Sequence, residues 1–166
     1  ETVNNKTFEY DGTNWTTGGT LNVNRAFLGG AGTLTAGLVF GGGSGGAGGP
    51  TATEEYDGSS WTAGNNMNII RANQGAGFGV QTSAIVVCGN VPPGTNLPTT
   101  SEEYDGTSFV TGVNASTARR YLGSSGASLA NGLISGGDID TSTNTNATEE
   151  FTPESTALNV KTITTS

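Results

Sequence analysis

At 166 residues the chain has the length of one domain, but only 33% of it is hydrophobic and 28 positions are glycine. Such a composition excludes one large central core and suits many short strands whose units stack on their neighbours. The formal net charge of −8 argues against a nucleic-acid partner, which would require clustered Lys and Arg. Histidine is absent, which removes the commonest general base, the Ser-His triads and the usual zinc and copper sites; no cofactor and no metal site are expected.

In chain order, residues 1–17 read as two strands, Lys6–Tyr10 and Asn14–Thr16, joined at Asp11-Gly12, a dipeptide that tolerates the positive φ of tight turns. After Gly18-Gly19, a strand is expected just beyond Arg25 and another at Gly37–Phe40, ended by Gly41-Gly42. A low-complexity stretch, Gly43–Pro50, follows, and TEEYDG and SSWTAG supply two more strands. The next unit keeps the order. Arg71 leads Gly75–Val80, Ala84–Cys88 is an apolar strand, Gly89-Asn90 stands for the double glycine, and EEYDG and SFVTG follow the loop Val91–Thr100. The last unit has Arg119, the strand Gly132–Ser135, Gly136-Gly137, the loop Asp138–Asn146, ATEEF and a closing strand near Asn159–Thr164.

The repeated element is TEEYDGSSW at Thr53–Trp61, preceded by FEYDGTNW and followed by EEYDGTSF and a residual EEF. Tyr10, Tyr56, Tyr104 and Phe151 therefore recur every 46–48 residues. A period of roughly 40–50 residues marked by aromatics and glycines predicts an all-β chain built from β-propeller blades. The predicted units are a half blade at 1–17, blades at 18–64 and 65–112, and a C-terminal blade at 113–166, all in one propeller domain. Regular aromatics at this spacing also argue against disorder.

Three and a half blades do not readily close a ring, since propellers of this kind have 4–8, and an open arc leaves apolar faces uncovered. The chain is therefore expected to belong to a longer propeller or to associate with copies of itself. It begins at Glu1 rather than Met, which reads as a mature product or a fragment. No apolar run reaches the roughly 20 residues that cross a bilayer, so no membrane insertion is expected. Cys88 is a lone cysteine in an apolar strand and reads as a small buried residue.

Tyr-Asp, then Trp, then Arg about ten residues on, then an apolar strand ending in Gly-Gly, is a pattern that resembles the kelch repeat. The likeness covers nearly the whole chain, and it weakens where Phe109 replaces Trp and in the last unit. The Thr-, Asn- and Gly-rich filler further resembles repetitive propeller proteins of phages and marine microbes. The resemblance implies that the loops between second and third strands share a face with the links between blades and form a ligand surface. Copper-bearing oxidases of the kelch type need histidine ligands, which this chain lacks.

Tyr10, Trp15, Tyr56, Trp61, Tyr104 and Phe109 are expected to fill the gaps between blades. Arg25, Arg71 and Arg119 fall at equivalent positions, either tying neighbouring blades through carbonyls or the repeated Glu or forming a ring of ligand-binding arginines. Glu54-Glu55, Glu102-Glu103 and Glu149-Glu150 are adjacent carboxylates, but neighbouring strand residues point to opposite faces, so a structural role is expected and no catalytic residue is assigned. Asp138 to Glu149 imitates the ligand spacing of a calcium loop but lacks the glycine at its sixth position, and reads as a polar loop.

The eleven residues between the glycine pair and the glutamates are filled differently in each unit: GSGGAGGPTAT, VPPGTNLPTTS and DIDTSTNTNAT. Constant strands with varied loops point to tuned binding or to drift in an unconstrained loop. The candidate ligand contacts are Ser44, Asn90, Asn96, Asp138, Asp140 and Asn144. The expected protein is a non-enzymatic adhesion module, extracellular or on a virion as part of a tail fibre, with a cell-surface glycan or protein as partner. A structural spacer without its own ligand is the alternative.

Overall fold

The computed structural model describes residues 4–43, 51–72, 75–92, 96–140, 142–154 and 157–163, with the backbone alone beyond Phe151. Fourteen strands account for the regular structure of these residues, with no helix among them. They form four antiparallel sheets. The first contains β1 (Phe8–Tyr10) and β2 (Trp15–Thr17). The second runs β3 (Gly29–Thr33), β4 (Ala36–Phe40), β5 (Thr53–Tyr56) and β6 (Trp61–Ala63). The third runs β7 (Ala76–Val80), β8 (Ser83–Val87), β9 (Ser101–Tyr104) and β10 (Phe109–Thr111). The fourth runs β11 (Gly123–Ser128), β12 (Asn131–Ser135), β13 (Thr148–Glu154) and β14 (Ala157–Ile163). Strands pair in sequence order within every sheet, and the leading strands β3, β7 and β11 lie against one another. The result is a propeller-like stack of small meanders.

The outer hairpins explain the repeated YDG. Tyr10 pairs with Trp15, Tyr56 with Trp61 and Tyr104 with Phe109, leaving a four-residue turn in each case. Asp11, Asp57 and Asp105 each accept, through Oδ1, the backbone N–H groups two and three residues on, at 2.7–2.8 Å. Gly12, Gly58 and Gly106 supply the positive φ these turns need (98°, 92° and 90°). The aspartate is held as an anion by these bonds, with Asp57, Asp105 and Asp11 all shifted below the usual carboxylate range.

The core lies between sheets, as a low-hydrophobic chain requires. Strand β8 is buried on both faces. Ala84 and Val86 pack with Leu38, Phe40 and Met67 toward the second sheet, while Ile85 and Val87 pack with Leu122, Ile134 and Phe151 toward the fourth. Two phenylalanines do the closest packing. A Cβ at Gly77 would lie 2.0 Å from the Phe40 ring, and one at Gly132 would lie 2.1 Å from the Phe78 ring. Each ring thus fills the space of a missing side chain on the next sheet, a burial worth roughly 1.5–3 kcal/mol per side chain.

The expectation that the repeat aromatics fill these gaps holds for Tyr104 and Phe109, which share a buried cluster with Leu38 and Phe40 of the second sheet, and fails for the first pair. Tyr10 and Trp15 stack on each other at 5.1 Å and stay 48% and 70% exposed. Tyr56 and Tyr104 do join sheets, through their hydroxyls: Tyr56 Oη donates to Glu9 and Tyr104 Oη to Glu55. The Glu9 bond raises Tyr56 above the usual phenol range, and burial together with the Glu55 bond raises Tyr104. Trp61 packs beside Tyr56 at 4.8 Å and Phe109 beside Tyr104 at 4.5 Å, each on its own sheet.

Candidate functional site

Antiparallel pairing puts the start of the first strand, the end of the second, the start of the third and the end of the fourth at one end of every sheet. The links between sheets and the loops joining second to third strands therefore share one face. At its base sit three buried arginines, Arg25, Arg71 and Arg119.

Each guanidinium pinches the neck of one loop. Arg25 Nη1 donates to the carbonyls of Gly41 (3.1 Å) and Ala52 (2.8 Å), Arg71 Nη1 to those of Cys88 (2.6 Å) and Thr100 (2.9 Å), and Arg119 Nη1 to those of Gly136 (3.2 Å) and Ala147 (2.9 Å). Backbone bonds close the same necks, from Gly41 N to Ala52 O, Cys88 N to Thr100 O and Gly136 N to Ala147 O. The other nitrogen faces the first glutamate of each pair. Arg25 and Arg119 hydrogen-bond Glu54 and Glu149, and Arg71 lies 3.6 Å from Glu102. Those carboxylates also accept link N–H groups: Glu54 from Asn22 and Val23, Glu102 from Asn68 and Ile69, and Glu149 from Ser116. Burial draws Arg71 below its usual range, opposed by Glu102.

The arginines are thus spent inside their own sheets, which differs from a tie between neighbours or a ligand-binding ring. Neighbouring sheets are joined by the backbone of the same residues: Gly42 N donates to Arg71 O, and Gly89 N to Arg119 O. These bonds also fix the register of the glycine pair. Cys88-Gly89, with φ of 61° and 92°, stands where Gly41-Gly42 and Gly136-Gly137 stand, not Gly89-Asn90. The intervening segments are accordingly 43–53, 90–101 and 138–148, so the middle one is a residue longer than the sequence pattern implies. Cys88 is fully buried, and desolvation pushes its thiol up to about 11.

Gly43, Asn90 and Asp138 occupy one position in the three loops, bridged to Ala26, Ala72 and Arg120 in the links. Asn90 is buried, and its Oδ1 has no hydrogen-bond partner among the described residues, so it is not an open loop contact. Asn96, Asp140 and Asn144 are exposed, Asn96 paired to Val91 and Asn144 to Asp138 through the backbone. Asp140 Oδ1 accepts the N–H groups of Ser142 and Thr143, which lower its pKa. Asp138 lies 3.6 Å from Arg120 Nε, while Glu149 is buried on Arg119, so the two ends of the calcium-like spacing face different partners. Among the described residues no group of three or more His, Cys, Asp or Glu could hold a metal ion. Ser44 lies outside the described residues.

Three residues that sequence reasoning passed over also lie on this face. Phe27 and Tyr121, each two positions after a clamp arginine, are 46% and 40% exposed and have φ of 56° and 54°. Their rings approach to 6.2 Å edge-on, although they enter the second and fourth sheets. Arg120 stacks on Tyr121 at 5.0 Å. The signal was available in the aromatic two positions after the repeated arginine in two of the three units, the middle unit having Asn73 there.

No protein-family model matches the chain, and no curated protein matches it. Among solved structures it is similar to "Structure of YjhT", with a TM-score of 0.69 at 14% identity over 89% of this chain and 48% of that one. At that identity the likeness is one of fold, and the chain spans about half the length of YjhT. Fold and neighbour together define an all-β protein of small antiparallel sheets in a propeller-like arrangement. None of the described helices, there being none, could cross a membrane.

Proposed function

We propose that the chain is part of a kelch-type β-propeller and acts as a non-enzymatic binding module, its loop face recognising a cell-surface glycan or protein from an extracellular or virion-borne position. The observation that carries this reading is the set of three clamped necks. Equivalent buried Arg–carbonyl contacts, each with a glutamate beside the guanidinium, hold loops whose fillings share almost nothing. A scaffold that isolates its loops in this way lets them change without disturbing the sheets, which is the arrangement that recognition surfaces use. Catalysis has little support: Glu54, Glu102 and Glu149 are engaged by arginines and link N–H groups.

The two-stranded first sheet favours a second feature. Its strands correspond to β5 and β6, and Phe8 is 60% exposed. Two further strands, from a longer form of the protein or from a second copy, would complete it.

The test is binding of the labelled chain to microbial polysaccharides and whole cells, beside a variant with 91–100 and 138–146 replaced by Gly-Ser, with native mass measured on both samples. Saturable binding lost in the variant at unchanged mass is the expected result. No binding by a folded chain that self-associates would instead favour a structural spacer, and binding that survives replacement would rule out the loops as the recognition surface.

A further inference from the structure

Phe27 and Tyr121 combine two features that rarely coincide. Both are bulky residues in the left-handed region, which is strained for a side chain and persists only when the surroundings impose it. Both also leave a large share of the ring in water, so burial offsets little of that strain. Glycine would satisfy the backbone at either position, as it does at Gly41 and Gly136. Burial therefore does not explain why these two positions carry rings.

Their placement narrows the reason. They meet edge-on at 6.2 Å with planes 66° apart, an exposed aromatic pair contributed by two sheets that are not sequence neighbours. Beside it, Arg120 lies over Tyr121, and Asp138 stands 3.6 Å from Arg120 Nε, which has no hydrogen-bond partner within bonding distance among the described residues. A guanidinium and a carboxylate side by side offer donors and acceptors with no net charge. On the loops of this face the exposed side chains of Asn96, Ser142 and Asn144 are uncharged and that of Asp140 is anionic, so no exposed cation among them favours an acidic ligand. The chain as a whole is strongly acidic and would repel a polyanion.

We infer that Phe27, Tyr121, Arg120 and Asp138 form a subsite for a neutral sugar ring, the exposed aromatic pair taking its apolar C–H face and the Arg–Asp pair its hydroxyls. This rests on the binding-module reading above and names the ligand class for that face. A flat apolar body with a polar rim is the ligand that amphipathic aromatic surfaces accept. A paired Arg and Asp in a partly desolvated position penalise any analogue that lacks matching hydroxyls.

The experiment compares the intact 166-residue chain with Phe27→Gly, Tyr121→Gly and the double variant, against dextran, mannan and galactan as neutral polysaccharides and alginate and polygalacturonate as acidic ones. Whole cells and the loop-replaced variant are run in parallel. The expected result is binding to at least one neutral polysaccharide, weakened at least about tenfold by each glycine, with Tm unchanged or raised because the left-handed backbone is relieved. Tighter binding to the acidic polymers, full binding by the double variant, or a lowered Tm that marks the rings as structural would each overturn the subsite. Absence of polysaccharide binding would overturn it too. In that case loop-dependent attachment to cells would leave the module reading intact, and absence of both would remove the two together.

Discussion

At the residue scale, a side chain here is defined by the bonds available at its repeat position more than by its type. Glu54 and Glu55 are adjacent and chemically identical, yet one is buried on Arg25 and the other accepts a phenol from the next sheet. The alternation of a strand makes that division, and it was legible in the sequence as a reason to doubt an acid/base pair. Glu149 is the sharpest case, fully buried with Arg119 and the Ser116 N–H. Truncating it strands a buried guanidinium, so Glu149→Ala should lower stability by about 3–5 kcal/mol in urea unfolding, whereas Glu150→Ala should change it little. Equal effects would contradict the division of roles. The strain at Phe27, Tyr121 and Cys88 was not legible, because nothing in residue type announces a left-handed φ on a bulky side chain. Cys88 therefore hid the true glycine register, and its pair was displaced by one position onto Gly89-Asn90.

At the element scale, the outer hairpins are the parts the sequence describes most completely. Asp, Gly and a hydroxyl or amide residue in order specify a four-residue turn with an anionic cap, and the turns at Asp57 and Asp105 are built that way. The folded pKa of each aspartate is depressed, so its stabilisation is present above the unfolded value near 4 and is lost as pH falls through the folded one. Wild type should therefore lose stability on acidification below about pH 4, and the Asp57→Asn, Asp105→Asn double variant should show a shallower loss over that range. Parallel pH profiles of the midpoint would contradict this. The strand expected just after Arg25 begins only at Gly29, because the link first turns through Phe27. Repeat spacing fixes which elements exist, but the length of a link depends on tertiary bonds that join residues distant in sequence.

At the scale of the whole molecule, little apolar material is made to serve several sheets. Phe40 and Phe78 each sit on a glycine of the following sheet, and β8 is buried from both sides. Stacking of this kind followed from the composition and the period, while the identity of the filling residues did not, since Phe40 lies 37 residues from Gly77 and Phe78 lies 54 from Gly132. The arginine clamps close the loop necks within each four-stranded sheet, an arrangement that leaves the loops free for recognition. Equilibrium urea unfolding of the chain with 91–100 and 138–146 replaced by Gly-Ser tests it most directly. The expected unfolding free energy is within about 1 kcal/mol of wild type with an unchanged m-value, because the necks are closed by Arg71 and Arg119 whatever the loops contain. A drop of several kcal/mol, or a broadened transition, would show that the loops belong to the folding core and would contradict the separation of scaffold from binding face.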